Sequence, residues 1–183
     1  MVYMLLGEGF EEIEAIAPLD LMRRADIEVS TVSLTESLQV QGGHEIILQA
    51  DITLDEVDIE TMDMLVLPGG GGGVESIADS RVAMDLIKRA WKAKKNLAAI
   101  CAAPSLLAKL DILNGKSVVC HPGVSEKIEA AGGKLNPELP VVNDNNLITG
   151  KAAGTAIDFG LELVAALRDR KTSNDLRQEI FYA

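Results

Sequence analysis

Residues 97–104 read Leu-Ala-Ala-Ile-Cys-Ala-Ala-Pro, and this stretch indicates the fold class of the chain. The first four residues form a short apolar run of the kind that makes a buried strand. Pro104 has no N–H to donate, so a helix tolerates it only near its first turn. A strand therefore changes into a helix within about three residues, with Cys101 at the bend.

Apolar runs and helical patterns alternate on both sides of this stretch. Strands are also predicted at Tyr3–Leu6, Ile27–Leu34, Met64–Leu67 and Ser117–Cys120. Helices are predicted at Glu11–Ala25, Arg81–Lys95 (capped by Asp79 or Ser80), from the bend to about Leu110, Ser125–Ala131 and Thr155–Leu167 (with Thr155 and Asp158 as a capping box). This alternation is typical of α/β proteins, in which helices cover both faces of a parallel sheet.

Two segments interrupt the alternation. Gln39–Gln49 and Val141–Thr149 carry turn residues at their centres and are predicted as β-hairpins. In an open parallel sheet, ligands bind beyond the carboxyl ends of the strands. We therefore expect function in the loops Gly7–Glu14, Pro68–Gly73, Cys101–Pro104 and His121–Val124.

Composition narrows the classes of partner. The chain has 183 residues, 48% of them apolar, which predicts one domain over residues 1–183 with a substantial core. Its net charge of −11 makes nucleic acid and anionic membrane surfaces poor partners. The N-terminal apolar run is too short for a signal peptide, and no segment is long enough to span a membrane. Two cysteines do not make a disulfide framework, so we expect a cytoplasmic protein with reduced thiols.

The glycine-rich loops lack the spacing of nucleotide-binding motifs. After Gly69–Gly73, Val74 or Glu75 occupies the position of the third glycine in a dinucleotide fingerprint, and no P-loop lysine follows. The two cysteines and two histidines show no zinc-ligand spacing, so neither a metal nor a cofactor is predicted. The loop N–H groups could serve an oxyanion hole, or the glycines could simply allow a turn.

Cys101 is the candidate nucleophile. At a bend leading into a helix, N–H groups and the helix dipole favour a thiolate, and the expected pKa of the thiol is lowered. This is the geometry of a nucleophile elbow, although the flanking glycines of that motif are absent. The alternative is a small buried cysteine that packs like alanine, which is how we interpret Cys120.

Two side chains are candidate partners of the thiol. His121 begins the loop after the next predicted strand and could approach Cys101, or it could only hydrogen-bond within its own loop. Glu14 shares an apolar helix face, where its pKa should rise and let it act as a general acid or base. The alternative for Glu14 is a solvent-facing glutamate, as we expect of Glu11 and Glu12. Pro18 should kink or restart this helix.

The chain resembles the ThiJ/PfpI superfamily, most closely its Parkinson-disease deglycase branch, over nearly its whole length. The motifs that carry the resemblance are Glu11-Glu12-Ile13-Glu14, Met22-Arg23-Arg24-Ala25, Leu67-Pro68-Gly69-Gly70, Ala99-Ile100-Cys101-Ala102, His121-Pro122 and Gly154-Thr155. The resemblance implies a flavodoxin-like three-layer sandwich, related to class I glutamine amidotransferases, that forms a homodimer.

The resemblance also implies roles for residues. Cys101 would be the nucleophile and a readily oxidised thiol, Glu14 the protonated acid touching it, and His121 the nearby histidine. The backbone N–H groups of Gly70 and Ala102 would form the oxyanion site.

This chain departs from the family pattern in three places. The protease-like branch has a histidine after the cysteine, so Ala102 disfavours peptidase and amidotransferase activity. His44 stands where relatives often have an arginine that reaches the partner's site, and Ala153 replaces a proline. Arg24 and His44 are candidate contacts of the dimer site.

Three functions follow from these residues. The first is a glutathione-independent glyoxalase or deglycase that acts on small α-oxoaldehydes or on glycated protein side chains. The second is an oxidative-stress sensor or redox-regulated chaperone that uses oxidation of Cys101. The third is a binding scaffold without turnover. An older family label, thiazole monophosphate biosynthesis, has no support in these residues.

Overall fold

A computed structural model describes all residues, 1–183, as an α/β fold. The eleven strands are β1 Val2–Leu6, β2 Val29–Ser33, β3 Gln39–Gln41, β4 Ile47–Gln49, β5 Ile52–Thr53, β6 Met64–Leu67, β7 Asn96–Ile100, β8 Ser117–Val118, β9 Lys134–Leu135, β10 Val141–Asp144 and β11 Leu147–Gly150. The seven α-helices are α1 Glu12–Arg24, α2 Gly71–Asp79, α3 Arg81–Lys92, α4 Pro104–Lys109, α5 Ser125–Ala130, α6 Ala156–Leu167 and α7 Arg170–Glu179. None of these helices has the length and apolar character needed to cross a membrane.

Seven strands form one central sheet in the order β10-β11-β7-β6-β1-β2-β5. Every neighbouring pair is parallel except β10 and β11, which form an antiparallel hairpin at one edge. The sequence-based prediction of a mostly parallel sheet is confirmed, and both predicted hairpins are present. The first hairpin, β3 and β4, forms a separate two-stranded sheet.

Helices cover both faces of the sheet, and successive strand residues pack against opposite layers. Met4 and Val66 point into one core with α1, α6 and α7, whereas Leu5 and Leu65 point into the other with α2, α3, α4 and α5. Burial on both faces explains why β1, β6 and β7 are almost entirely apolar. This arrangement is the predicted three-layer sandwich.

The predicted strand Ser117–Cys120 is wrong in length and in place. Only Ser117–Val118 is a strand, and it pairs with β9 in a small separate sheet. The position beside β7 is taken by β11, which leaves no free edge there for β8. The N–H of Val119 instead donates to the Thr149 hydroxyl of β11 at 2.9 Å.

Two helix details also differ from the prediction. Pro18 lies within one continuous helix, α1, and packs against Gly160 of α6, where any side chain would overlap it. The missing side chain of Gly160 therefore lets the two helices approach closely. Thr155 does not cap α6, because its hydroxyl bonds with the backbone of Ala152 instead. Ser80 does cap α3, accepting from the Ala83 N–H at 3.2 Å.

Candidate active site around Cys101

Cys101 lies at a sharp bend directly after β7, with a φ of 65°. Residues other than glycine rarely adopt this left-handed conformation, which costs of order 1–3 kcal/mol unless the surroundings impose it. Here the surroundings impose it from both sides. The Cys101 N–H donates to the Gly150 carbonyl at 3.0 Å, and its carbonyl accepts from the His121 N–H at 2.8 Å. The backbone therefore holds the half-buried thiol at the carboxyl end of the sheet, as a nucleophile elbow does.

The backbone N–H groups of Gly70 and Ala102 are close enough to the Cys101 sulfur to lower the pKa of its thiol. Gly70 adopts a φ of 87°, and a side chain there would overlap the backbone of Gly9 and Glu11. A glycine is therefore required for this loop to bring its N–H to the sulfur. Two N–H donors at one point can hold an oxyanion next to the thiol.

Glu14 of α1 reaches the same point and is fully buried. Its Oε2 accepts from the Gly69 N–H at 2.9 Å, and its own N–H is capped by the Glu11 carboxylate at 2.7 Å. Oε1 is the one buried side-chain oxygen or nitrogen without a hydrogen-bond partner. Cys101 is a close neighbour of this carboxyl group, since a Cβ added to Gly69 would lie 2.3 Å from Glu14 Oε2 and 2.7 Å from Cys101 Cβ. The role of Gly69 was not predicted, because this contact joins helix α1 to a loop that lies 55 residues further along the chain.

Burial raises the pKa of the Glu14 carboxyl to about 7. The sequence predicted a raised pKa here, because Glu14 lies on an apolar face of its helix. Burial, followed by the charge of Glu14, raises the pKa of the Cys101 thiol to about 12, although the N–H groups of Ala102 and Gly70 lower it. The predicted depressed pKa of the thiol is therefore wrong, because a carboxylate and an apolar setting outweigh the backbone donors. The pair can instead work as a thiol beside its own general base.

His121 is next to Cys101 through its backbone, but its ring hydrogen-bonds elsewhere. The exposed ring accepts through Nδ1 from the Gly123 N–H at 3.1 Å, within its own loop. The expectation that His121 ends a neighbouring strand of the main sheet is wrong, since β8 is not in that sheet. A catalytic role for this ring stays a prediction.

Glu12 contradicts the expectation of a solvent-facing side chain, since it is only 4% exposed. Its two carboxylate oxygens accept from the backbone N–H of His44 and face the His44 ring Nδ1, both at 2.7 Å. The hydrogen bonds from His44 outweigh the effect of burial and lower the pKa of Glu12, and the same contact raises the pKa of His44. This pair ties the β3–β4 hairpin to the start of α1.

The remaining candidates lie elsewhere. Arg24 binds Asp20 and Glu179 at 2.7 and 3.1 Å, near the far end of α1 and about 15 Å along the helix from Glu14. Glu11, Glu12 and His44 place three possible metal ligands within 4.8 Å of one another, but each is already hydrogen-bonded within the chain or to its partner. Cys120 is buried with its sulfur 3.9 Å from the Ser125 hydroxyl, in agreement with a packing role.

The chain is similar to several known proteins. The model of the DJ-1/PfpI family matches residues 1–166. The chain is 36% identical over 172 residues to a DJ-1 homologue of Arabidopsis thaliana, covering 93% of this chain and 43% of that protein. It is 32% identical over 181 residues to a glutathione-independent glyoxalase of Caenorhabditis elegans, covering 98% of this chain and 95% of that protein.

Among solved structures, oxidised DJ-1 of Toxoplasma gondii superposes with a TM-score of 0.92 at 29% identity, covering 100% of this chain and 98% of that one. The chain thus spans less than half the length of the plant relative but almost all of the other two.

Proposed function

This chain belongs to the DJ-1/PfpI family, and on that premise we propose that it is a cysteine-dependent enzyme acting on reactive α-oxoaldehydes or on their adducts with amine side chains. One observation supports the proposal: the buried Glu14 carboxyl and Cys101 meet at Gly69, where an added Cβ would lie 2.3 Å from Glu14 Oε2 and 2.7 Å from Cys101 Cβ, and the N–H groups of Gly70 and Ala102 lie near the sulfur. A base whose pKa is about 7 beside a thiol is suited to proton transfer near neutral pH.

The first chemical step is addition of the thiol to the aldehyde carbon. The S–C bond forms, the thiol proton passes to the Glu14 carboxylate, and the carbonyl oxygen becomes an oxyanion held by the N–H groups of Gly70 and Ala102. Glu14 then gives this proton to the oxyanion, which forms a hemithioacetal and restores the Glu14 carboxylate.

Glu14 next moves a proton from the former aldehyde carbon to the neighbouring ketone carbon, and the hydroxyl proton on the first carbon passes to the oxygen on the second. The first carbon is thereby oxidised to a thioester and the second reduced to an alcohol, so no external oxidant is needed. Water then hydrolyses the thioester, which releases a 2-hydroxy acid and restores the thiol.

The experiment that tests this function measures lactate formed from methylglyoxal by the purified chain without glutathione. We expect steady turnover with one lactate formed for each methylglyoxal consumed. Consumption of methylglyoxal without lactate, or no consumption at all, would overturn the glyoxalase proposal.

A second candidate function is redox sensing through Cys101. A sulfinate at this sulfur would be surrounded by the N–H groups of Gly70 and Ala102 and by a carboxyl proton of Glu14, all of them donors to its oxygens. Peroxide reacts with the thiolate form of cysteine. The raised pKa of the Cys101 thiol leaves little thiolate at neutral pH, which favours the enzyme over the sensor.

If the sensor proposal is right, mild peroxide should add two oxygen atoms to Cys101 and leave buried Cys120 unchanged. Intact mass followed by peptide mapping measures this, with Cys101→Ser as the matched control. Oxidation of Cys120 before Cys101 would rule the sensor out.

We also propose that the chain forms a homodimer through α1 and the β3–β4 hairpin. Four exposed isoleucines lie on these two elements or beside them, namely Ile13, Ile16, Ile46 and Ile47. The Glu12–His44 pair holds the elements together, so their apolar side chains lie on adjoining surfaces that a second copy can cover.

Sedimentation velocity should therefore give about twice the 19.5 kDa chain mass. Ile47→Lys should shift the population towards monomer, because a charge in an apolar interface loses its hydration. Val82→Lys, at an equally exposed valine on α3, should leave the mass unchanged. A monomeric wild type, or equal effects of both variants, would contradict the interface.

A further inference from the structure

A groove of about 370 Å³ opens beside Cys101 between α2 and α4. Its near end is formed by Gly71, which follows Gly70, and by Ala102. Gly71 and Ala102 directly follow Gly70 and Cys101 in the chain. This end of the groove therefore lies next to the thiol and to the N–H groups that lower its pKa.

One wall is a strip of α2, and the other is formed by α4 together with α5 and the residue before it. From α2 come Val74, Ala78 and Asp79, and from α4 comes Lys109. With a rise of about 1.5 Å per residue, Asp79 lies about 12 Å along α2 from Gly71, and Lys109 lies about 8 Å along α4 from Pro104. Asp79 and Lys109 are therefore the last residues of the two helices whose first turns lie near Gly70 and Ala102.

The groove is lined by both apolar and charged side chains. Its apolar side chains are Val74 and Ala78 on α2, Ala102, and Val124, which precedes α5, and Ser105 of α4 is also part of the lining. Its charged side chains are Glu75 and Asp79 on one wall and Lys109 and Lys127 on the other. All four are exposed, and none takes part in an ion pair within the chain, so they are available to a ligand.

We propose that this groove binds the part of the substrate beyond the reacting carbonyl, and that it fits an aliphatic stem ending in a free α-amino acid. The stem would lie on the apolar side chains, the α-carboxylate would face Lys109 and Lys127, and the α-ammonium would face Asp79 and Glu75. A purely anionic or purely cationic end would meet like charges on one wall, which disfavours both. A three-carbon aldehyde fills only the Cys101 end.

This inference rests on the proposed function, because it names a substrate for that function. The substrate is the adduct of a reactive carbonyl with a free lysine-type amino acid. It is tested without turnover, by alkylation of Cys101. In alkylation the sulfur displaces iodide from an iodoacetyl carbon, an S–C bond replaces the C–I bond, and the thiol proton passes to Glu14 and then to solvent. Two probes share the reacting group and the stem: Nε-iodoacetyl-lysine, and the same compound with its α-amino group acetylated and its α-carboxyl group amidated.

The second-order rate of Cys101 alkylation should be roughly 3- to 10-fold higher for the charged probe than for the neutral one at low salt, and the ratio should fall as salt is added. Lys109→Met and Asp79→Asn should each bring this ratio towards one. Lys92→Met, an exposed lysine on α3, should keep the wild-type ratio. A ratio of one in the wild type, or a ratio that neither groove variant changes, would overturn the proposal.

The two proposals fail separately in this design. Lactate formation with no preference for the charged probe would leave the enzyme proposal intact and refute the groove. A preference for the charged probe without lactate formation would support the groove and refute the enzyme proposal, because alkylation does not depend on turnover.

Discussion

Cys101→Ser should lower lactate formation from methylglyoxal by at least about 10³-fold, because a serine hydroxyl beside Glu14 is a far weaker nucleophile than a thiol. The side chain is nearly isosteric, and the backbone bonds to Gly150 and His121 that hold φ at 65° are unaffected by the change. Steady-state kinetics on purified protein measure the effect, and thermal unfolding confirms that the variant is folded.

Cys120→Ser is the matched control for loss of a thiol. Cys120 is buried, its sulfur lies 3.9 Å from the Ser125 hydroxyl, and it contacts neither Glu14 nor an oxyanion donor. We expect turnover within a few-fold of wild type. Equal losses in both variants, or a Cys101→Ser enzyme with near-normal turnover, would remove the covalent mechanism.

Local features of the sequence predicted most of the fold. The apolar run before Cys101 and the proline three residues after it predicted the strand, the bend and the following helix, since each depends on neighbouring residues only. The two hairpins were likewise visible from their turn residues. Ser117–Cys120 failed because its β-branched residues predict a strand without indicating the edge that it joins, and β11 occupies the place beside β7.

Contacts between distant parts of the chain could not be predicted in the same way. The helical pattern placed Glu14 on an apolar face, but the Gly69 N–H that binds it lies 55 residues further along. Glu12 looked solvent-facing because its partner, His44, comes from a hairpin whose docking on α1 has no local signature. The pKa of Cys101 was predicted in the wrong direction because the prediction rested on the helix dipole at the bend, whereas burial of the thiol, which depends on the packing of the whole fold, and the charge of Glu14 outweigh it.

Glu14→Gln should lower turnover by about 10²- to 10⁴-fold, the usual contribution of a positioned general base. A glutamine can still accept from the Gly69 N–H, but it cannot take the thiol proton. The wild-type rate should rise with pH as Glu14 loses its proton around pH 7, whereas the variant's rate should lack this rise. Glu126→Gln, an exposed carboxylate on α5, should keep the wild-type profile.

The same substitution should change how stability depends on pH. The pKa of Glu14 is raised in the folded chain from the ordinary 4.5 to about 7, so the folded state binds this proton more tightly than the unfolded state. Its stabilising contribution is complete below pH 4.5 and is lost as pH rises through 7, which amounts to about 3 kcal/mol. Between these limits the wild type should therefore lose about 3 kcal/mol more free energy of unfolding than Glu14→Gln, as measured by urea denaturation. If the two proteins lost stability equally as the pH rises, Glu14 would have an ordinary pKa in the folded chain. A base with an ordinary pKa would not support the proposed proton transfer.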